Sequence, residues 1–308
     1  MLISMLRPLA DRGHDVSVWL SRYGKAHEVY EYRGIRVVPT EARLDFAAAV
    51  RQADVLVSHL ECVPSTSALA RGYGTPVAVV CHNTHRPTFR DMGAGGTALA
   101  VYNSEWMRAE AGLFFAEYPK AVRPPAELVV RPPVFAGEYA TKPGTAVTLI
   151  NCNEAKGGKV LEQLARRMPD IEFLAVRGAY GEQVLPDLPN VEVVEHVDGA
   201  DMRERVYART RVLLMPSSYE SWGRAGVEAM ASGIPVVAHP TPGLCESLAD
   251  GGIFVDRHDV AAYEAVLRKL AVPSEYRLAS KRAKARSLEL DPAAELAAWC
   301  DAVEALAR

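Results

Sequence analysis

Two glutamates with seven residues between them, Glu220 and Glu228, lie on either side of the start of a predicted helix over 224–232. A helix N-terminus offers unpaired backbone N–H groups and a partial positive charge, which suit a diphosphate. Gly223 and Gly226 leave those amides open to an anion, and Arg224 adds a cation. Glu228, one turn inside the helix, can accept hydrogen bonds from a ribose diol, and Glu220 would face whatever lies beyond the phosphates. The spacing alone is equally compatible with a helix that packs on a sheet and carries two solvated glutamates.

The segment from 212 to 238 resembles the donor-binding segment of family 4 glycosyltransferases. That family has the pattern P-S-x-x-E-x-x-G-x-x-x-x-E-A-x-A-x-G-x-P-V-V-A. The matching residues are Pro216, Ser217, Glu220, Gly223, Glu228, Ala229, Ala231, Gly233, Pro235, Val236, Val237 and Ala238. The resemblance implies that Glu220 reaches the donor sugar and acts in catalysis, and that Glu228 binds the ribose. The donor-binding residues that it implies around this helix are Trp222, Gly223, Arg224, Ala225, Gly226 and Glu228.

A second candidate donor loop follows a predicted strand over 146–151 and precedes a helix over 159–168. Lys156 and Gly157 lie in this turn, where a lysine beside glycine suits phosphate binding. They match the end of the family pattern G-R-x-x-x-x-K-G, but Asn151 stands where the pattern has arginine. The site therefore lacks one expected cation, which Arg224 would replace. The alternative is that Lys156 is a surface lysine on a turn.

Candidate acceptor residues follow two predicted strands in the first half of the chain. His59 ends a strand over 54–59, at the carboxyl edge where open α/β sheets bind ligands. The resemblance makes it a catalytic residue near the reacting sugar, and the alternative is a structural hydrogen-bonding role. The segment 81–86 is expected to be an acceptor-facing loop with His82 and Arg86. A metal site at His82 and His85 is the less favoured interpretation, because no third ligand lies nearby in the sequence.

A glycine-rich segment at 93–98 matches the letters of the dinucleotide motif G-x-G-x-x-A. The motif requires a preceding strand and a following helix, and the sequence predicts neither here. We expect a flexible loop, so a NAD-dependent dehydrogenase is disfavoured.

Alternating strand and helix patterns along the whole chain predict an α/β fold with parallel, doubly wound sheets. A proline-rich segment over 121–144 is typical of an interdomain connection. We expect an acceptor-binding Rossmann-like domain over 1–136, a donor-binding one over 145–290, and a helix over 291–308 that packs back toward the first. The resemblance implies the GT-B arrangement, in which two Rossmann-like domains face each other across a cleft.

The start of the chain departs from the family pattern. The motif Arg12-Gly13-His14-Asp15-Val16 matches the end of the first helix of the family, so the usual first strand and Gly-rich loop are missing before it. Since the first strand of a doubly wound sheet is usually central, we expect an interior gap in the first domain. A short start assignment or a fragment is the favoured explanation, and a truncated protein is the alternative.

Composition is that of a globular protein. The chain has 308 residues, 49% hydrophobic and 24% charged, with a net charge of −3 that gives no indication of nucleic-acid binding. Its five scattered cysteines are typical of reduced thiols, and no apolar run approaches membrane-spanning length. We expect a cytoplasmic protein, and a peripheral position at a membrane is left open.

The predicted function is transfer of a sugar from a nucleotide-diphosphate sugar to a hydroxylated acceptor. The resemblance implies a hexosyltransferase that retains the anomeric configuration and needs neither a metal nor another cofactor. The acceptor can be a small molecule, a glycan or a lipid-linked compound. The alternative is a non-catalytic or truncated protein of the same fold that binds sugar nucleotides. An epimerase or phosphorylase of this fold is disfavoured by the paired glutamates.

Overall fold

The computed structural model describes residues 1–22 and 26–308. The chain divides into two compact units. The first unit consists of Met1–Pro133 together with Pro292–Arg308, and the second consists of Val134–Asp291. The C-terminal segment thus belongs to the same unit as the start of the chain.

The first unit alternates strands with helices. Its strands are β1 (Ser17–Trp19), β2 (Tyr30–Tyr32), β3 (Ile35–Val38), β4 (Leu56–His59), β5 (Val77–Val80), β6 (Leu99–Tyr102) and β7 (Ala126–Val129). Its helices are α1 (Leu2–Asp11), α2 (Phe46–Gln52), α3 (Val63–Tyr73), α4 (Arg86–Gly95), α5 (Glu105–Ala116) and α13 (Ala293–Leu306). Strands β5 and β6 are buried at every position, as expected for parallel strands that are covered on both faces.

The described strands of the first unit form two separate sheets. One is parallel, in the order β4-β5-β6-β7, and the other has the order β1-β3-β2 with β2 antiparallel. The segments after β1 and β4 nevertheless meet, because Cys62 Sγ lies 3.2 Å from Ser21 Oγ and Arg22 pairs with Glu61.

The C-terminal helix α13 packs against α1. The indole of Trp299 is fully buried and donates a hydrogen bond of 2.9 Å to the carbonyl oxygen of Met5. Arg12 extends this contact at the surface through ion pairs with Asp301 and Glu304. A carboxylate near the start of α13, Glu295, pairs with Arg131 after β7.

The second unit has one parallel sheet with the order β10-β9-β8-β11-β12-β13. These strands are β8 (Ala146–Ile150), β9 (Phe173–Val176), β10 (Val191–Val194), β11 (Thr210–Met215), β12 (Val236–Ala238) and β13 (Gly252–Phe254). The helices are α6 (Ala136–Tyr139), α7 (Gly158–Arg167), α8 (Met202–Arg205), α9 (Arg224–Met230), α10 (Pro242–Leu248), α11 (Val260–Ala271) and α12 (Pro273–Glu289). The chain runs from β8 to β10 in one direction and from β11 to β13 in the other, so the topological switch point lies between β8 and β11.

Strand β11 separates two hydrophobic clusters. Leu213 and Met215 contribute to one cluster, whereas Val212 and Leu214 contribute to the other. Successive side chains of a strand point to opposite faces, so an uninterrupted apolar run covers both faces of the sheet. This packing fixes the end of β11, from which the loop to α9 departs.

Several sequence predictions fail at the level of elements. The segment at 93–98 is not a flexible loop: Gly93 and Gly95 lie in the last turn of α4, and β6 follows. Helix α12 and strand β2 were not predicted. Low apolar periodicity hides α12, in which seven of the 17 residues are charged, and β2 is short and exposed. The predicted N-cap at Ser104 is confirmed, since its hydroxyl accepts a hydrogen bond from the amide of Met107.

Among the described residues, no helix combines the length and the apolar character that crossing a membrane requires.

Candidate functional site

The loops that follow β8 and β11 are in close contact at the switch point of the second unit. Gly157 has a φ of +101°, and a Cβ at this residue would lie 2.2 Å from Cγ of Pro216. The amide of Ser218 donates a hydrogen bond of 2.8 Å to the carbonyl oxygen of Ala155. A side chain at 157 would separate the two loops, so glycine is required there by both conformation and space.

This contact brings together two of the predicted site residues, Lys156 and Glu220. Lys156 Nζ donates a hydrogen bond of 2.5 Å to Glu220 Oε1, and the hydroxyl of Ser217 donates to the same oxygen at 2.9 Å. The side chains of Lys156 and Glu220 are 24% and 14% exposed, so the pair is shielded but still reachable. Both donors bind Oε1, and Glu220 Oε2 remains available as an acceptor.

The start of α9 depends on two glycines. Gly223 is the N-cap, with a φ of +82°, and a Cβ there would lie 2.3 Å from Cδ2 of Leu244. A Cβ at Gly226 would lie 2.8 Å from Cδ2 of Leu248. These glycines allow α9 to pack closely against α10, a structural role that stands beside the predicted role in donor binding.

Glu228 is almost completely buried on α9, and its carboxylate has partners on both oxygens. Tyr207 donates a hydrogen bond of 2.6 Å to Oε2, and Arg224 Nε lies 3.1 Å from Oε1. Burial raises the pKa of Glu228, and the charge of Arg224 and hydrogen bonds from Tyr207 and Tyr139 oppose this rise. Arg224 in turn donates to the hydroxyl of Tyr139 at 2.8 Å. The guanidinium that was predicted to bind phosphate is thus also the ion-pair partner of Glu228.

Two predicted donor residues belong mainly to the interior. Trp222 is 2% exposed and lies in the hydrophobic cluster that contains Met215 and Leu244. Ala225 is partly buried against the same cluster, and its carbonyl oxygen accepts a hydrogen bond of 3.4 Å from Tyr207. Both residues help to place α9.

Asn151 adopts a left-handed backbone conformation with a φ of +67° directly after β8. Its Oδ1 accepts a hydrogen bond of 3.2 Å from Gln183, whose Oε1 accepts one of 2.9 Å from the amide of Gly178. Asparagine tolerates this conformation better than arginine does. At this position the chain therefore has a polar link between the ends of β8 and β9 where the family pattern has a cation.

In the first unit, the structure brings His59 and His82 together at the carboxyl ends of β4 and β5. Their ring centroids are 5.1 Å apart in an edge-to-face arrangement, and His59 Nδ1 and His82 Nε2 are buried without a hydrogen-bond partner. Burial lowers the pKa of His59 and lowers the pKa of His82 to about 4. Both rings are therefore neutral near pH 7.

Arg86 does not lie in a loop, because it is the first residue of α4. Its guanidinium pairs with both carboxylate oxygens of Glu117, at 3.3 and 2.6 Å, and lies 5.0 Å from the ring centroid of Phe114. Its role toward an acceptor stays a prediction. In the described part of the chain, no group of three or more His, Cys, Asp or Glu side chains is arranged to hold a metal ion.

The loop after β11, α9 and α10 fall within a match to one known sequence family. The family of glycosyl transferases group 1 matches residues 157–271. The predicted resemblance to family 4 glycosyltransferases is confirmed by this match.

Curated relatives match part of the chain, and solved structures extend the comparison to the fold of nearly all of it. A D-inositol 3-phosphate glycosyltransferase of Streptomyces avermitilis is 34% identical over 131 residues, which cover 42% of this chain and 24% of that protein. Anabaena Alr3699/HepE in complex with UDP-glucose has a TM-score of 0.78 at 17% identity, over 99% of this chain and 94% of that one. Sucrose-phosphate synthase from Thermosynechococcus elongatus has a TM-score of 0.75 at 15% identity, over 96% and 89% of the two chains. The predicted GT-B fold with two Rossmann-like domains is thereby confirmed.

Sequence reasoning missed two residues of the second unit that contact the predicted site. Tyr207 and Tyr139 precede the donor-binding segment, and no motif marks either of them. Tyr207 lies in a short 3-10 turn where the sequence predicts an uninterrupted helix over 202–210. Their contacts with Arg224 and Glu228 depend on tertiary packing, which spacing along the chain does not reveal.

Proposed function

We propose that this protein transfers a sugar from a nucleotide-diphosphate sugar to a hydroxylated acceptor, with retention of anomeric configuration and without a bound metal. The observation that carries this proposal is the joining of Lys156 and Glu220 at the switch point of a group 1 domain, with Glu228 inside α9. Ligands of open α/β sheets bind at this position. Retention and independence from metals are drawn from the resemblance to family 4.

In this proposal Lys156 stabilises the leaving diphosphate. An ammonium group has three N–H donors, and Glu220 Oε1 accepts one of them, which leaves two for phosphate oxygens. Charge accumulates on the diphosphate as the glycosidic bond breaks, and a fixed cation in a shielded site lowers the energy of that state. Glu220 Oε2 then accepts a hydrogen bond from a sugar hydroxyl, and Glu228 accepts hydrogen bonds from the ribose.

The first unit supplies the acceptor contacts in this proposal. Each neutral imidazole of His59 and His82 has one donor and one acceptor nitrogen, a combination that suits hydroxyl groups. Arg86 would contribute only if its contact with Glu117 loosened. The name of the Streptomyces avermitilis relative makes an inositol phosphate one acceptor to test, alongside glycan and lipid-linked acceptors.

The first experiment measures thermal stability of the 308-residue chain with UDP, GDP, ADP and their glucose or mannose derivatives, each with EDTA and with Mg²⁺. Ligand binding to the folded state raises the melting temperature by mass action. We expect a shift with one base that is the same in EDTA. UDP-glucose is the first probe, because it is bound in the similar Alr3699/HepE structure.

The second step incubates the stabilising nucleotide sugar with candidate acceptors and determines the anomeric configuration of the product by NMR. Formation of a product with retained configuration would support the proposal. Binding without transfer or hydrolysis would favour the alternative of a non-catalytic sugar-nucleotide binder. A chain that no nucleotide sugar stabilises would contradict both.

A further inference from the structure

A connected set of polar side chains surrounds Glu228 in the interior of the second unit. Tyr207 binds one carboxylate oxygen at 2.6 Å, and Arg224 lies 3.1 Å from the other. Tyr139 accepts a hydrogen bond of 2.8 Å from Arg224 and packs edge-to-face on Tyr207, with ring centroids 6.1 Å apart. Tyr207 is completely buried and Tyr139 is 5% exposed, so neither hydroxyl can be replaced readily by water.

This environment determines what the carboxylate can do. Removing a carboxylate from water favours its protonated form, and a protonated acid presents an O–H donor in place of one acceptor site. The two hydroxyl groups of a ribose donate hydrogen bonds and therefore need hydrogen-bond acceptors. An ionised carboxylate has about four lone-pair sites. That number is enough to accept from Tyr207 and Tyr139 and also from the two hydroxyls of a diol.

The two tyrosines also fix where those lone pairs point. The carbonyl oxygen of Tyr139 accepts a hydrogen bond of 3.1 Å from the hydroxyl of Ser232, just after α9, and Ser232 accepts one of 3.0 Å from the amide of Thr141. Tyr139 is thus anchored near the C-terminal end of the helix whose first residue, Arg224, it binds. Glu228 therefore lies in a helix that is held at both ends by one short segment.

We propose that Tyr207 and Tyr139 are positioning residues of the donor site, which keep Glu228 oriented as an acceptor for the two ribose hydroxyls. Both hydroxyls contact Glu228, and Tyr139 also holds its ion-pair partner Arg224. This inference rests on the proposed function, because it requires that a nucleotide sugar binds at α9. It assigns a role in donor binding to two residues of the second unit that need not contact the ligand.

The test compares Tyr207→Phe and Tyr139→Phe with Tyr263→Phe as a matched control. Tyr263 is also completely buried, and its hydroxyl donates to the carbonyl oxygen of Val255 in the other hydrophobic cluster. Affinity is measured by calorimetry for UDP-glucose and for its 2′-deoxyribose analogue, and for the corresponding GDP or ADP compounds if those bind the parent protein. All three variants keep the aromatic ring and lose one hydroxyl.

We expect Tyr207→Phe to weaken binding of the ribose compound about tenfold, as for loss of a hydrogen bond to a charged group. Tyr139→Phe should weaken it as well, because it removes a hydrogen bond to Glu228 and the acceptor that holds Arg224. The 2′-deoxy analogue should lose less affinity than the ribose compound in both variants. Adding Tyr207→Phe to Glu228→Gln should cause no further loss, since residues that act through one group are not additive.

A pH profile separates positioning from general destabilisation. The diphosphate diester of a nucleotide sugar keeps a constant charge between acidic and neutral pH. A decline in affinity at acidic pH therefore reports protonation of the protein. Within the described residues of the second unit, Arg224, Tyr207 and Tyr139 are the charged and titratable groups that face Glu228. Without the Tyr207 hydroxyl, the pH at which affinity declines on the acid side should rise by about one unit.

Three outcomes are possible, and each one tests the positioning role of the two tyrosines. Weaker ribose binding with a displaced profile in the two site variants, and not in Tyr263→Phe, supports the inference. If the parent protein binds the ribose compound and both site variants behave like Tyr263→Phe, the inference is wrong while the proposed function stands. If the parent protein binds none of the nucleotide sugars, the proposed function fails, and the inference fails with it.

Discussion

At the scale of single residues, Lys156 is the side chain whose loss should affect the chemistry most. We expect Lys156→Met to weaken nucleotide-sugar binding and turnover, with about 2–4 kcal/mol less stabilisation of the transition state. Lys159→Met is the matched control, because Lys159 pairs with Glu154 at an exposed position near the same turn. Steady-state kinetics of both variants check this prediction. Equal effects of the two substitutions would contradict a phosphate role for Lys156.

A second residue-scale prediction concerns backbone strain at Ala249, the C-cap of α10. Its φ of +43° and ψ of −135° lie in a region that favours glycine. Ala249→Gly should raise the free energy of unfolding by about 1 kcal/mol, because relief of strain exceeds the added flexibility of the unfolded chain. Urea denaturation measures this change.

The control for Ala249→Gly is Ala265→Gly, at an exposed position inside α11. Glycine is a poor helix former, so this substitution should lower the free energy of unfolding by about 1 kcal/mol. Two changes of the same chemical kind should therefore have opposite signs. Destabilisation by both would show that the backbone at Ala249 is not strained.

At the scale of elements, the site depends on how closely the loop before α7 approaches the loop after β11. Gly157→Ala should destabilise the second unit by about 2–4 kcal/mol, because it combines a positive φ with a clash against Pro216. It should also weaken nucleotide-sugar binding, since it displaces Lys156 from Glu220. Chemical denaturation and calorimetry measure the two effects.

Gly112→Ala provides the comparison for Gly157→Ala. Gly112 lies inside α5, and a Cβ there would meet open space. Alanine should stabilise this helix by up to about 1 kcal/mol, with no effect on nucleotide-sugar binding. If Gly157→Ala were as harmless as Gly112→Ala, the close contact between the loops would not be required.

Elements whose residues follow a simple period could be predicted from the sequence, whereas contacts between elements could not. The strand β11, the helix α9 and the helix end at Gly233 follow from apolar periodicity, glycine and proline. The same rules failed for α12, which has low apolar periodicity, and for the end of α4, where glycines lie inside the helix. The links from Tyr207 and Tyr139 to Glu228 join residues distant along the chain, so they require tertiary structure.

At the scale of the whole molecule, both units present polar residues at the carboxyl ends of parallel strands. In the second unit this edge holds Lys156 and Glu220, and in the first it holds His59 and His82. Parallel strands buried on both faces leave their ends as the exposed places where polar groups can converge. A single topological rule therefore places candidate site residues in both units, although their chemistry differs.

The buried histidine pair makes the stability of the folded chain depend on pH. Burial lowers the pKa of His82 to about 4, so between pH 6.5 and 4 the unfolded chain binds a proton that the folded chain does not. Stability is therefore complete above pH 6.5 and is lost as the pH falls toward 4, by about 3 kcal/mol. His59, whose pKa is also lowered by burial, acts in the same direction.

His82→Gln should remove most of this dependence, because glutamine does not titrate. Urea denaturation followed by circular dichroism at pH 7.5, 5.5 and 4.5 should show a smaller loss of stability at acid pH than in the parent protein. His258→Gln, at an exposed position before α11, is the control and should leave the dependence unchanged. Identical pH slopes in all three proteins would mean that protonation of His82 does not oppose folding, and that the rings at the ends of β4 and β5 are open to water.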